Sequence, residues 1–373
     1  MNIQVPSSQL KRDNRLSVID CDVHPRMKSV DMLKPYMSKR WWDYLQTYGQ
    51  RKRHGFAKGH PYPKSQPADG QRRDAWPPEG GQPGTSLPFM REQLLDAYGI
   101  DYGILNPLSP SGQGDQNPEF SAAVAAANNM WQLAEWADKD ARLRASIIVP
   151  YENPEAAVAE IRKHAGDKRF AHVLFMSRTA EALGRRRYWP IFEAAAEAGL
   201  PIGIHAGSAY RHPVTPLGWP SYYTEDYAAQ AAAFQQCLSS LICEGVFSKF
   251  PNLKVVLLES GFTWLPAHLW RLTKFWRGLR MEIPWVDRAP TEIVRDHVRL
   301  TVQPCDGPPN EQMFQTLMDH MDSDELLLFS TDYPHWQFEG DAILPPGLSD
   351  GLIGRIRVDN PLETYPRLQE AAP

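Results

Sequence analysis

The sequence predicts an α/β protein folded as a (β/α)8 TIM barrel, and three observations point there. Short apolar runs of strand length alternate with helix-patterned stretches, the mark of repeated βα units around a parallel sheet. The runs number eight. The turn after the first run reads Asp22-Val23-His24-Pro25, without the glycine fingerprint that a doubly wound open sheet would carry there.

In chain order the strand candidates are Leu16–Cys21, Tyr102–Asn106, Leu143–Val149, Phe170–Met176, Leu200–His205, Lys254–Leu258, Val298–Val302 and Leu326–Thr331. Helical patterns cover Asn117–Asp138, Pro154–His164, Trp189–Ala198, Tyr227–Cys243, Trp264–Trp276 and Glu311–His320. Asn153 before Pro154 gives a cap followed by proline at the first helical position, and Gly199 closes the helix before the fifth strand. The tract 49–88 breaks this rhythm. It is rich in Pro, Gly, Arg and Lys and lacks a periodic apolar pattern. A loop of this length after strand one is a solvated insertion, a lid over the barrel mouth or an oligomer arm. The single barrel domain is expected to span 1–373 around it.

The 373 residues suffice for a sizeable core, and the formal charge of −4 without a clustered basic stripe argues against nucleic-acid binding. Cys21, Cys237, Cys243 and Cys305 form neither a CxxC pair nor a spaced framework, so free thiols are expected. The polar start lacks an apolar signal segment, and no apolar run has membrane-spanning length. A cytoplasmic protein acting on a small molecule, away from membranes, is the expectation. Tryptophans such as Trp41, Trp42, Trp264, Trp270 and Trp276 are too many for all to be buried, which predicts a homo-oligomer or a hetero-oligomer with a related chain.

Barrel active sites are built at the C-terminal ends of the strands. Strand one ends in Asp22-Val23-His24, whose first and third side chains share a face in extended backbone. Strand five ends at His205, and strand eight is followed by Asp332 and His335. Each has a plainer reading: a chance DxH, a satisfied core histidine, a turn aspartate before Pro334. Together, two histidines and two carboxylates at three strand ends supply four ligands, a normal number for a catalytic metal that also holds water.

The segments Val18-Ile-Asp-Cys-Asp22-Val-His24, Pro201-Ile-Gly-Ile-His205 and Ser330-Thr-Asp332-Tyr-Pro-His335 resemble the amidohydrolase-related (amidohydrolase 2) family. That family includes aminocarboxymuconate semialdehyde decarboxylase and the aromatic-acid decarboxylases. The tail Arg355–Tyr365 looks like its closing helix. The resemblance implies the amidohydrolase type of barrel, with one divalent ion held by Asp22, His24, His205 and Asp332. Zinc suits this set, with manganese and iron as the other choices. Two departures stand out. The first ligand pair is Asp-His where the family more often has His-His or Glu-His, and after strand six Glu259 stands where a histidine is usual. Glu259 is read as a general base or acid, a ligand of a second metal, or a structurally paired carboxylate. His335 is read as orienting Asp332, and His212 as a substrate contact or a solvated loop residue. His172, early in strand four, is read as a core histidine or one at the wrong barrel end.

The function implied is a metal-dependent hydrolase or decarboxylase of a small carboxylated substrate, with Asp332 and Glu259 as catalytic candidates. Two alternatives stay open: a metal-dependent oxygenase on a small amino or organic acid, or a weakly active metal-binding subunit.

Overall fold

The structure, a computed structural model, describes residues 18–50, 70–208, 213–215, 217–308, 310–335 and 343–369. Eight parallel strands lie in the order of the chain: β1 Ile19–Val23, β2 Tyr102–Leu105, β3 Leu143–Ile148, β4 Phe170–Arg178, β5 Ile202–Ser208, β6 Val255–Leu258, β7 Val298–Thr301 and β8 Leu327–Leu328. They are almost wholly buried and mostly apolar, as expected of strands covered on both faces. Helices α1 Lys39–Tyr48, α2 Pro118–Gln132, α3 Pro154–His164, α4 Trp189–Glu197, α5 Tyr223–Cys243, α6 Leu265–Leu279, α7 Pro290–His297 and α8 Glu311–Met321 separate the strands. As the sequence predicts, Asn153 caps α3 by accepting the Ala156 amide, with Pro154 behind it, and Gly199 turns at φ 64° after α4. The Arg355–Tyr365 tail is helical and packs under the barrel through Ile356 and Tyr365, both fully buried.

The seam between β1 and β8 explains why β8 is two residues long where six were expected. The Cys21 amide donates to the Phe329 carbonyl at 3.0 Å and the His24 amide to the Tyr333 carbonyl at 2.7 Å. Between these rungs the Asp20 carboxylate replaces the backbone ladder, accepting the Thr331 amide at 3.0 Å and the Thr331 hydroxyl at 2.6 Å. Burial pushes this carboxyl up to about 7 against those hydrogen bonds. The barrel is thus nearly closed, with a side chain completing the seam.

Of the 49–88 tract, 51–69 lie outside the described residues. The part after them docks at the barrel mouth. Gln71 forms an antiparallel bridge with His335, the Arg72 amide donates to the Pro334 carbonyl at 3.0 Å, and the Arg26 amide donates to the Gly84 carbonyl at 2.7 Å. All four cysteines are free thiols. No helix among the described residues is long and apolar enough to cross a membrane.

Candidate metal centre

Strand ends bring six side chains together, all buried: Asp22, His24, His205, Glu259, Asp332 and His335. β1 delivers Asp22 and His24, and β5 delivers His205. Glu259 follows β6, while Asp332 and His335 follow β8. His24 Nε2 lies 3.2 Å from Asp22 Oδ1, 3.0 Å from Asp332 Oδ1 and 3.5 Å from Glu259 Oε1. His205 Nε2 lies 3.1 Å from Glu259 Oε1 and 3.8 Å from Asp22 Oδ2. His335 Nδ1 is 3.1 Å from Glu259 Oε1 and 2.5 Å from Asp332 Oδ1. His212 lies outside the described residues.

Two of these residues are held in an unfavourable backbone. Glu259 and Asp332 adopt φ 55° and 56°, left-handed values costly to side chains with a Cβ. The surrounding bonds hold them there: the Glu259 amide donates to Thr301 Oγ1 at 3.1 Å, and the His335 amide closes a turn onto the Asp332 carbonyl at 2.8 Å. The chain leaves each strand sharply at these two positions, which turns both carboxylates toward the histidines.

The histidine tautomers follow from their outer contacts. His24 Nδ1 donates to the Asn106 carbonyl and His205 Nδ1 to the Ala206 carbonyl, each at 2.7 Å. Both Nε2 atoms then face carboxylate oxygens, an arrangement completed by a bound cation or, without one, by a proton on each ring. Burial alone would pull the His24 and His205 imidazoles down, but Asp22 and then Asp332 and Glu259 hold His24 well above its ordinary value, and Glu259 and Asp22 raise His205. His335 rises to about 9 on the Asp332 charge, again against burial. Burial opposes ionisation of Glu259, yet His205, His24 and His335 hold it well below the usual carboxylate range. Burial and the Glu259 charge instead push Asp332 up to about 6.

The cluster fits a divalent ion. His24 Nε2, His205 Nε2, Asp22 Oδ2 and Asp332 Oδ2 are buried without hydrogen-bond partners, a rare state for polar atoms unless something else engages them. Ligand atoms about 2.1 Å from a shared ion stand roughly 3.0–3.4 Å from one another, and the contacts above, 3.0–3.8 Å, fall near that range.

The cluster borders a cavity of about 470 Å³, whose walls include Tyr151, Trp219, Tyr223, Tyr227 and Arg178 as well as His205, Glu259 and His335. Trp219 and Tyr223, from the segment after β5, face this cavity, whereas the adjacent Tyr222 is 48% exposed. His268, on α6, packs edge-on against Trp264 and contacts Ser239.

The structure adds a residue that strand-end reading passed over. Asn106, fully buried after β2, donates from Nδ2 to Asp22 Oδ1 at 2.8 Å and to the Cys21 carbonyl at 3.3 Å, while its own carbonyl fixes His24. His172 is in the core, as read, yet its Nε2 lies 2.9 Å from Asn106 Oδ1. Burial, and then His205, push its imidazole down to about 3, so it is neutral.

The family model described as amidohydrolase matches residues 19–367. Gamma-resorcylate decarboxylase of Rhodococcus jostii is 25% identical over 262 residues, covering 66% of this chain and 76% of that protein. Among solved structures, a manganese-bound dihydroxybenzoic acid decarboxylase from Polaromonas superposes with a TM-score of 0.63 at 18% identity, covering 94% of this chain and 97% of that one. The manganese-bound 5-carboxyvanillate decarboxylase of Novosphingobium aromaticivorans superposes with a TM-score of 0.67 at 19% identity, covering 95% and 97%. These two likenesses show the shared fold.

Proposed function

The chain belongs to the amidohydrolase family, and from that premise we propose that it is a metal-dependent carboxy-lyase acting on a small hydroxylated aromatic acid. The observation that carries this reading is the buried cluster of three histidines and three carboxylates bordering an aromatic-walled cavity. Its relatives and structural neighbours act on aromatic carboxylates.

In this proposal Asp22, His24, His205 and Asp332 hold one divalent ion, with Glu259 as a further carboxylate within reach. When bound, the ion withdraws charge from the substrate's carboxylate and adjoining hydroxyl. His24 serves one ion only, because its Nδ1 is taken by Asn106. The six side chains are accordingly read as one centre. Zinc suits the histidines, but the third carboxylate favours a harder ion, and both neighbours described above bind manganese. We therefore assign manganese.

The chain's own residues supply the proton. His335 Nδ1 donates to Asp332 Oδ1, and this hydrogen-bonded pair, with His335 at the cavity wall, is the proton store. From it a proton passes to the ring carbon bearing the carboxylate. The new C–H bond forms, the C–CO₂ bond breaks, its electron pair returns to the ring, and CO₂ leaves. Glu259 stays ionised and holds His205 and His335 in place. Tyr223, Tyr227 and Trp219 wall the ring from water.

The test is CO₂ release from 2,6-dihydroxybenzoate and 5-carboxyvanillate by the manganese-loaded protein. Release that stops on chelation and returns with manganese is expected. Ring hydroxylation, or release indifferent to chelation, overturns the reading.

A further inference from the structure

We propose that Asn106 and His172 are positioning residues that set the affinity of the centre for its ion, through a hydrogen-bonded relay running His172–Asn106–Asp22. The inference rests on the metal reading above and deepens it.

Asn106 touches the proposed ligand set twice. Its carbonyl accepts from His24 Nδ1 at 2.7 Å, which directs the opposite nitrogen to the ion, and its Nδ2 donates to Asp22 Oδ1 at 2.8 Å. An asparagine amide can present either end, and the reversed amide would set Oδ1 against the Asp22 carboxylate. His172 prevents that reversal. With Nε2 protonated it donates to Asn106 Oδ1 at 2.9 Å, so only the orientation with Nδ2 facing Asp22 satisfies both neighbours. The fold makes room for this ring: on β5, a Cβ at Gly203 would lie 2.8 Å from His172 Nε2. Thus β2, β4 and β5 together orient two ligands carried by β1, through residues that touch neither ion nor substrate. Partners of this kind fix a ligand's direction and basicity.

The experiment uses the full chain, stripped with chelator and titrated with Mn²⁺ by calorimetry. The variants are Asn106→Leu, His172→Leu, His172→Asn and His172→Gln. Glutamine places an amide N–H where His172 Nε2 stands, whereas asparagine reaches only the Nδ1 position. Asn106→Leu should weaken Mn²⁺ binding by about 10–100-fold, and His172→Leu and His172→Asn by about 10-fold. His172→Gln should restore most of the affinity. Adding His172→Leu to Asn106→Leu should cost little more, since the relay is already broken. Undiminished Mn²⁺ affinity in Asn106→Leu and His172→Leu overturns the proposal, as does His172→Gln binding no better than His172→Asn. If Asn106→Leu fails to fold, that last contrast decides. Wild-type protein that takes up no Mn²⁺ at all is a different result, and it overturns the metal reading itself.

Discussion

Replacing Gly84 with alanine tests how the segment after β1 is held against the site. Gly84 sits at φ +78°, and a Cβ there would lie 2.5 Å from the His24 carbonyl oxygen. The opposing atom is backbone, so no side-chain rotation relieves the contact. A left-handed backbone costs a non-glycine residue about 1–2 kcal/mol, and forcing the strand end and the loop apart costs about 1–3 kcal/mol more. The sum is a loss of about 2–5 kcal/mol. Urea unfolding of wild type and variant, both metal-free, measures it. Because the displaced carbonyl belongs to His24, Mn²⁺ affinity should fall as well. A variant within about 0.5 kcal/mol of wild type, the range of an ordinary surface change, would refute this close approach and the docking of the loop on the metal strand.

Three further outcomes are expected. Glu259→Gln keeps the side-chain shape but removes the charge within 3.5 Å of three imidazoles; turnover should drop by about 10–100-fold, as for a partner that orients histidines, with the metal retained. Metal loss would instead make Glu259 a ligand, and normal turnover would make it structural. His172 has its folded value depressed from 6.5 to about 3, so below pH 6.5 the unfolded chain takes a proton that the folded one refuses. Stability should therefore fall with falling pH from 6.5 towards 3, by up to about 1.4 kcal/mol per pH unit. His172→Gln should show a shallower slope in paired denaturation curves, and identical slopes would contradict a neutral His172. Finally, Trp270, Phe275, Leu279 and Met281, on α6 and just after it, are exposed at 45–91%, which favours an oligomer; light scattering should report at least a dimer, and a monomer at micromolar concentration would refute this.

Much of the site was legible because a barrel converts sequence position into spatial position: residues after strand ends share one face. By that rule Asp22, His24, His205, Asp332 and His335, and Glu259 with them, are readable from the sequence as one group. The contact of Glu259 with three separate histidines was not legible, because they arrive from β1, β5 and the β8 turn. Asn106 was missed although it ends the second strand candidate. An amide neither ionises nor commonly ligates a metal, and it acts only through partners that the fold supplies. His172 was read by depth in the strand, but depth places it beneath Asp22, where a neutral donor is useful. The shortness of β8 had no sequence signature, since it depends on Asp20 reaching across the seam to Thr331.

The most direct test is a metal count on the protein purified without added metal and after dialysis against Mn²⁺, compared with His205→Ala and Asp332→Ala. The account predicts one manganese per chain in the dialysed wild type and little in either variant. It also predicts that metal raises the wild-type unfolding temperature more than that of the variants, because binding favours the native state. Wild-type protein that takes up no divalent metal, or variants that keep a full complement, would contradict the assignment of the cluster as the metal centre.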